Sequence, residues 1–242
     1  MKFAFISDIH GNAVALQAVL EDIEIQNVDQ IIVLGDICYR GPEPKKALEL
    51  TRSLQTTVIK GNADEWIVRG IRHGEVPDKA VDLMNKERDW SIEKLSEEEI
   101  DYLRSLPTEA SLKLTENIEI HVFHATPKSL FDVVQQDESS AAIKEKLMGH
   151  PSAKLFIYGH IHFPYLRFFD GKVVANTGSV GLPFDGTPLA SYLIVEGEGD
   201  YFNMAIRRVP YDLDKVIRQY EENNYPNMEM MTSIVRNGKL PN

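Results

Sequence analysis

Two packed, mostly β layers with helices outside them, a four-layer α/β/β/α sandwich of two mixed sheets, is the architecture this sequence predicts. Three observations point there. The chain opens by alternating short apolar runs with amphipathic segments, the order of a parallel sheet built through right-handed crossovers. A charged stretch with helical spacing follows. The later chain holds paired apolar runs around Gly-containing turns, which make antiparallel hairpins. At 242 residues and 43% hydrophobic content, the chain can bury the core of one large domain. We read residues 1–242 as a single domain with a helical insertion over about 64–107 and C-terminal strands and helices over about 190–236.

The first strand is Phe3-Ala4-Phe5-Ile6, and Ser7-Asp8-Ile9-His10-Gly11-Asn12 forms the loop after it. Asn12 is a suitable N-cap for a helix in which Ala13, Leu16, Leu20 and Ile23 share one face. The run Gln30 to Leu34 is a second strand ending in Gly35-Asp36, and Pro42-Glu43-Pro44 starts a second helix carrying Ala47, Leu48 and Leu50. Thr57-Val58-Ile59 is a third strand, ending in Lys60-Gly61-Asn62. Between Asp64 and Leu106 the spacing is helical, with Ser96 and Glu99 as a capping box and Pro107 as the stop. Ile118 to Phe123 is a strand ending at His124, and a polar helix spans about Ala141 to Met148. Leu155 to Tyr158 is a strand ending in Gly159-His160. Tyr165–Phe169 and Lys172–Ala175 flank the hairpin signal Asp170-Gly171. A second hairpin pairs Tyr192–Glu196 with Tyr201–Ile206 around Gly197-Glu198-Gly199. Asp212-Leu213-Asp214 then starts a helix, and another covers Met228 to Val235. These last helices cover the core, make a homo-oligomer contact, or shape the substrate entrance.

A formal charge of −11 argues against a surface made for nucleic acid or anionic lipid. Cys38 is the only cysteine, which excludes an internal disulfide and a thiolate metal site. No window approaches the 18 or more apolar residues of a membrane span. The N-terminus carries no leader pattern, so the expected location is the cytoplasm, without a membrane partner.

Five loops carry the chemistry. Asp8 and His10 follow the first strand, Asp36 the second, Asn62 the third, His124 the fourth, and His160 with His162 the fifth. In open α/β sheets the carboxyl edge of the strands forms the ligand crevice. Seven polar side chains gathered there are costly to bury unless they are paired or bound to cations. Four of the seven histidines fall in this set. Carboxylate, imidazole and amide ligands without thiolate suit manganese, iron or zinc, with nickel and cobalt as further choices. Seven ligands exceed one tetrahedral ion and fit two ions about 3.5–4 Å apart sharing a carboxylate.

Asp8-Ile9-His10, Gly35-Asp36, Gly61-Asn62-Ala63-Asp64, His124 and Gly159-His160-Ile161-His162 together resemble the signature of the calcineurin-like metallophosphoesterase superfamily. The order matches from residue 3 to about residue 184. The similarity is to its compact bacterial and archaeal phosphodiesterase branch, the diadenosine tetraphosphatase-like proteins. That branch carries Asn-Pro-Gly-Ser-Val-Gly after the last histidines; here Thr177 replaces the proline in Asn176 to Gly181. The resemblance implies one metal held by Asp8, His10, Asp36 and His162, and a second held by Asp36, Asn62, His124 and His160. It implies in-line attack on phosphorus by a hydroxide between the ions, with Asp36, Asn62, His124 and Arg40 in catalytic roles and Arg40 and Asn62 touching substrate. Gly35 to Gly41 resembles the loop that supplies a phosphate-binding arginine, Arg40, in the protein phosphatase branch; a solvated loop arginine is the alternative.

One departure bears on substrate. Many relatives place a histidine after the asparagine to protonate the leaving group, and this chain has Ala63. The implied substrates are therefore small phosphate diesters, nucleotides, dinucleoside polyphosphates or aryl phosphates. A protein serine/threonine phosphatase and a non-catalytic scaffold on the same fold are the rival readings. His73, His121 and His150 match no block and are taken as surface or structural, Cys38 as a packing residue, and Trp66 and Trp90 as helix anchors. Asn176 and Ser179 either line the site or serve a tight turn at Gly178.

Overall fold

The computed structural model describes residues 1–241. Strand β1 (Lys2–Ile6), helix α1 (Ala13–Gln26), β2 (Gln30–Val33), α2 (Pro44–Ser53) and β3 (Thr57–Val58) form the expected alternation. The charged stretch becomes α3 (Asn62–Arg69), α4 (Asp78–Ile92) and α5 (Glu97–Ser105). Next come β4 (Glu109–Lys113), β5 (Glu119–Phe123), α6 (Ser140–Leu147), β6 (Leu155–Tyr158), β7 (Tyr165–Phe169) and β8 (Lys172–Asn176). The chain continues with β9 (Ala190–Glu198), β10 (Tyr201–Val209), α7 (Leu213–Glu222) and α8 (Met228–Asn237). The strands make two five-stranded mixed sheets, ordered β10-β9-β1-β2-β3 and β4-β5-β6-β8-β7. Strands β1, β2 and β3 run parallel in one, and β5, β6 and β8 in the other.

The layers follow from the period-two alternation of strand side chains. In β1, Phe3 and Phe5 enter the core between the sheets with Ile120, Val122, Leu155 and Ile157. Ala4 and Ile6 face the other way, against Leu16 and Val19 of α1. In β5 the same alternation sends Ile120 and Val122 inward and Phe123 outward, to Ile143 and Leu147 of α6. Each such side chain contributes roughly 1.5–3 kcal/mol on burial. The sandwich is thus fixed by both faces of both sheets, with α1, α2, α3 and α5 on one side and α6 on the other. Helices α7 and α8 build a further cluster from Val216, Ile217, Tyr220, Met231 and Ile234, joined by Leu182.

Local signals act as the sequence predicts at several boundaries. Asn12 Oδ1 accepts from Ala15 N at 3.0 Å, and Ser96 and Glu99 exchange reciprocal bonds of 3.3 and 2.7 Å. Asp170 and Gly171 both have positive φ, 48° and 83°, which gives a two-residue hairpin turn whose twist matches the strands. Three details differ from expectation. Strand β4 is not among the expected strands, although Ala110 and Leu112 alternate with polar residues at strand period; it adds to the edge of β5. The β9–β10 hairpin is longer than expected and turns at Gly199-Asp200, since Glu198 pairs with Tyr201. The helical stretch breaks between Gly70 and Pro77.

Candidate active site

All five ligand-bearing loops emerge at one edge, where the parallel strands of both sheets end. Backbone bonds tie the loops together. Asp8 N donates to Gly35 O at 3.1 Å, Gly159 N to His124 O at 2.9 Å, and Gly181 N to Asp8 O at 3.0 Å. His160 N donates to Asp8 Oδ2 at 3.0 Å, linking the two sheets directly. Glycine is required where these loops cross. A Cβ on Gly61 would stand 2.1 Å from Asp36 Oδ1, and one on Gly159 would stand 2.1 Å from Ser7 Oγ.

The seven side chains converge in two overlapping groups. Ligand atoms of Asp8, His10, Asp36 and His162 all lie within 4.8 Å of one another, and all four residues are buried. His162 Nε2 is 3.1 Å from Asp8 Oδ1 and 3.1 Å from His10 Nε2. In the other group, Asn62 Oδ1 lies 2.9 Å from His124 Nε2 and 2.8 Å from His160 Nδ1. Asp36 stands between them, with Oδ2 3.6 Å from His10 Nε2 and 3.4 Å from His124 Nε2. Its Oδ1 accepts from Ala63 N at 2.7 Å, which fixes the carboxylate plane.

Backbone carbonyls set the imidazole orientations. Nδ1 of His10 lies 2.8 Å from Tyr39 O, Nδ1 of His124 2.7 Å from Leu34 O, and Nδ1 of His162 2.5 Å from Leu182 O. A carbonyl only accepts, so each Nδ1 carries the proton and each Nε2 faces the cluster. The Nε2 atoms of His10 and His162 then oppose each other across 3.1 Å, an arrangement that a proton or a cation must relieve. Asp8 Oδ1 and His160 Nε2 are buried without a hydrogen-bond partner, which fits a donor set shaped for cations. Burial pushes the His10 and His160 imidazoles down to about 4. Burial acts the same way on His124, but Asp36 and Asp8 outweigh it and raise it to about 9. Burial would raise Asp8, yet His162, His124 and His10 together hold it well below the usual carboxylate range.

The backbone is strained at the same place. Asp8, His10, Asp36, His160 and His162 all have positive φ, between 48° and 68°. Non-glycine residues in sparsely populated regions of this kind cost about 1–3 kcal/mol each. Two further residues hold these loops. Asp64, quoted in the sequence motif without a role, accepts from Asp36 N, Ile37 N and Gly61 N at 2.8, 2.9 and 2.9 Å. Burial and then Asp36 raise its carboxyl to about 7. Phe184 stacks on His162 with centroids 4.2 Å apart, a contact for which the sequence offers no signal.

The remaining candidates divide clearly. Arg40 is not a solvated loop residue: its Nε sits 3.5 Å from Glu87 Oε2, and its side chain is only 16% exposed. Ala63 is fully buried in the apolar cluster with Trp66 and Ile67, and its Cβ offers no proton. Cys38 is buried in that same cluster, and burial pushes its thiol well above the ordinary value. His121 is structural, buried with Nε2 2.9 Å from Glu109 Oε2, and His73 is exposed. Asn176 and Ser179 brace the site from behind: Asn176 Nδ2 donates to Gly159 O, and Ser179 Oγ to Asp8 O at 2.7 Å. Trp66 packs edge-on against Tyr39, and Trp90 against Tyr225, as helix anchors do.

Residues 1–200 match the calcineurin-like phosphoesterase superfamily domain. An uncharacterised protein of Methanocaldococcus jannaschii is 31% identical over 92% of this chain and 93% of its own length. Phosphodiesterase YfcE of Escherichia coli is 26% identical over 82% of this chain and 89% of its length. Among solved structures, a metallophosphoesterase from Sphaerobacter thermophilus superimposes with a TM-score of 0.78 at 27% identity, covering 98% of this chain and 99% of that one.

Proposed function

This chain belongs to the calcineurin-like phosphoesterase superfamily and is a metal-dependent phosphoesterase, and on that premise we propose that it hydrolyses phosphodiesters or dinucleoside polyphosphates with two metal ions. The observation that carries the two-ion reading is the position of Asp36 between two groups of inward-facing ligands. Asp8, His10, Asp36 and His162 would hold one ion; Asp36, Asn62, His124 and His160 would hold the other. Their oxygen and imidazole donors suit manganese first, then iron, zinc, nickel or cobalt. Ions bound there lower the pKa of water and neutralise charge on phosphoryl oxygens.

The chain's own residues supply the rest. The carbonyls of Tyr39, Leu34 and Leu182 hold three imidazoles with Nε2 aimed inward, so the rings need little reorientation on binding. Asp64 locks the loops of Asp36 and Asn62 to one another. Arg40 presents a guanidinium that can grip a phosphate bidentately, and Asn62 adds a polar contact to substrate. Ala63 cannot give a proton to a departing oxygen. Substrates whose leaving group is stable unprotonated, such as nucleotide phosphates or aryl oxides, therefore fit better than alkyl monoesters. Arg40 favours a second reading, a protein serine/threonine phosphatase or other phosphomonoesterase, and Ala63 opposes it.

The test is metal analysis of the purified protein together with a substrate panel under manganese, iron, zinc and magnesium. The panel holds an aryl diester, an aryl monoester, dinucleoside polyphosphates, cyclic nucleotides and a phosphopeptide. Two ions per chain and a preference for diesters or dinucleoside polyphosphates are expected. Preference for the phosphopeptide would establish the second reading. Two bound ions with no turnover of any ester would favour a scaffold.

A further inference from the structure

Glu87 lies on α4, in the helical insertion, and its side chain is completely buried. A lone buried carboxylate is expensive, so its partners define its purpose. Oε2 faces Arg40 Nε at 3.5 Å, and Oε1 accepts from Asn227 Nδ2 at 3.1 Å. Asn227 is the N-cap residue of α8. A single carboxylate thus joins the insertion, the C-terminal helices and the loop after β2.

That loop is held at its backbone as well. Arg40 has φ 71°, and its carbonyl accepts from Tyr220 Oη of α7 at 2.7 Å. Asn223, at the end of α7, donates to Pro42 O at 3.2 Å. One residue earlier than Arg40, Tyr39 O accepts from His10 Nδ1 at 2.8 Å, so the loop that presents Arg40 also orients a metal ligand. Within the guanidinium, Nε is the buried nitrogen and makes no hydrogen bond other than its ion-pair approach to Glu87. The side chain as a whole keeps 16% of its surface exposed.

We propose that Glu87 is the positioning residue for Arg40: it engages Nε, turns the Nη fork toward the substrate phosphate, and is itself aimed by Asn227. The inference rests on Arg40 contacting the phosphate of the substrate. It assigns a function to two segments outside the metal-binding loops, since the insertion provides the carboxylate and α8 fixes its angle. The geometry also explains why the carboxylate is needed. The amide of a Glu87→Gln variant would have one acceptor oxygen and one NH2 where three donors, Arg40 Nε, Tyr39 Oη at 3.5 Å and Asn227 Nδ2, meet the carboxylate, so at least one of them would lose its acceptor.

The test measures steady-state kinetics on an aryl diester, inhibition by inorganic phosphate, and thermal midpoints for the metal-loaded enzyme. Arg40→Gln should raise KM and the phosphate inhibition constant about tenfold, the loss of one charge-assisted bidentate contact. Glu87→Gln should raise both about five- to tenfold while kcat falls less than about threefold. Glu87→Asp should recover part of the loss, and Glu87→Gln should add nothing in the Arg40→Gln background. Asn227→Ala, which leaves the ion pair intact, should shift KM about two- to threefold in the same direction and serves if Glu87→Gln does not fold. If Arg40→Gln is impaired but Glu87→Gln and Asn227→Ala bind as the wild type does, the positioning role is wrong. If Arg40→Gln itself leaves KM and phosphate inhibition unchanged, the error lies in the substrate contact of Arg40.

Discussion

At the scale of single residues, Asp36 and His124 carry the sharpest expectations. Asp36→Asn removes the charge shared by both ligand groups while preserving shape. It should lower kcat by at least about a hundredfold, the size of effect seen when one preorganised electrostatic contact is lost. It should also reduce metal content at both positions by elemental analysis; two ions retained per chain would refute the shared role. His124 holds its proton up to about pH 9 in the metal-free protein, because Asp36 and Asp8 outweigh the effect of burial. A metal ion needs that lone pair, so binding expels the proton. Affinity should therefore rise with pH up to about 9 and level off above it, by up to about tenfold per unit from this one group. His10 and His160, held down to about 4 by burial, are already neutral at pH 7 and add to the dependence only in acid. Calorimetry near pH 7.5, in buffers of different ionisation enthalpy, should find about one proton released from this residue on metal binding. No release would show that His124 is neutral beforehand. Ala63 sets a third expectation. Across a series of aryl diesters the rate should fall steeply as leaving-group pKa rises, and a flat series would reveal another proton donor. The sequence made the convergence of the seven side chains legible, since each follows closely on an apolar run. It could not reveal Asp64 as a brace or Phe184 as a stacking partner, because both act through contacts between loops that no local pattern encodes.

At the scale of elements, boundaries with their own chemistry were legible and those set by neighbours were not. The Asn12 cap, the Ser96–Glu99 box and the Asp170-Gly171 turn each satisfy backbone groups locally, so their residues announce them. Strand β4 does not announce itself. Its sequence Glu109-Ala110-Ser111-Leu112-Lys113 alternates polar and apolar residues, but two apolar positions are a weak signal, and pairing with β5 completes the strand. Likewise β9 runs from Ala190 to Glu198 because β1 and β10 flank it, whereas the apolar run alone suggested a shorter strand. The capping box gives a clean control for stability against function. Ser96→Ala should cost about 1 kcal/mol by chemical denaturation. Its kcat should match the wild type, since α5 has no ligand residue; a loss of activity at unchanged stability would contradict that separation.

At the scale of the whole molecule, the proposed ligands come from both sheets: Asp8, His10, Asp36 and Asn62 follow strands of one, and His124, His160 and His162 follow strands of the other. Ions bound at the shared edge should therefore clamp the sandwich. With free metal at about a hundred times its dissociation constant, each site adds about 2.7 kcal/mol to stability. For a chain of this size that is a rise of roughly 5–10 °C in thermal midpoint, measurable by calorimetry with and without chelator. An unchanged midpoint would mean that the ions do not join the two layers. The two-sheet architecture was legible from the order of parallel and antiparallel signals. The seating of α7 and α8 against the Arg40 loop was not, because an amphipathic helix declares that it has a buried face but not what it lands on.

The approach of His10 to His162 spans 152 positions of sequence. A ribosome adds about 5–20 residues per second, so roughly 8–30 s separate the synthesis of these two side chains. During that interval Asp8, His10 and Asp36 exist without the second sheet that encloses them. A nascent chain that stops before His160 lacks a histidine from each of the two proposed ligand groups. Once His162 has been made, six of the ten strands exist, three in each sheet, and both proposed ligand groups are complete in sequence before the remaining strands close the sandwich.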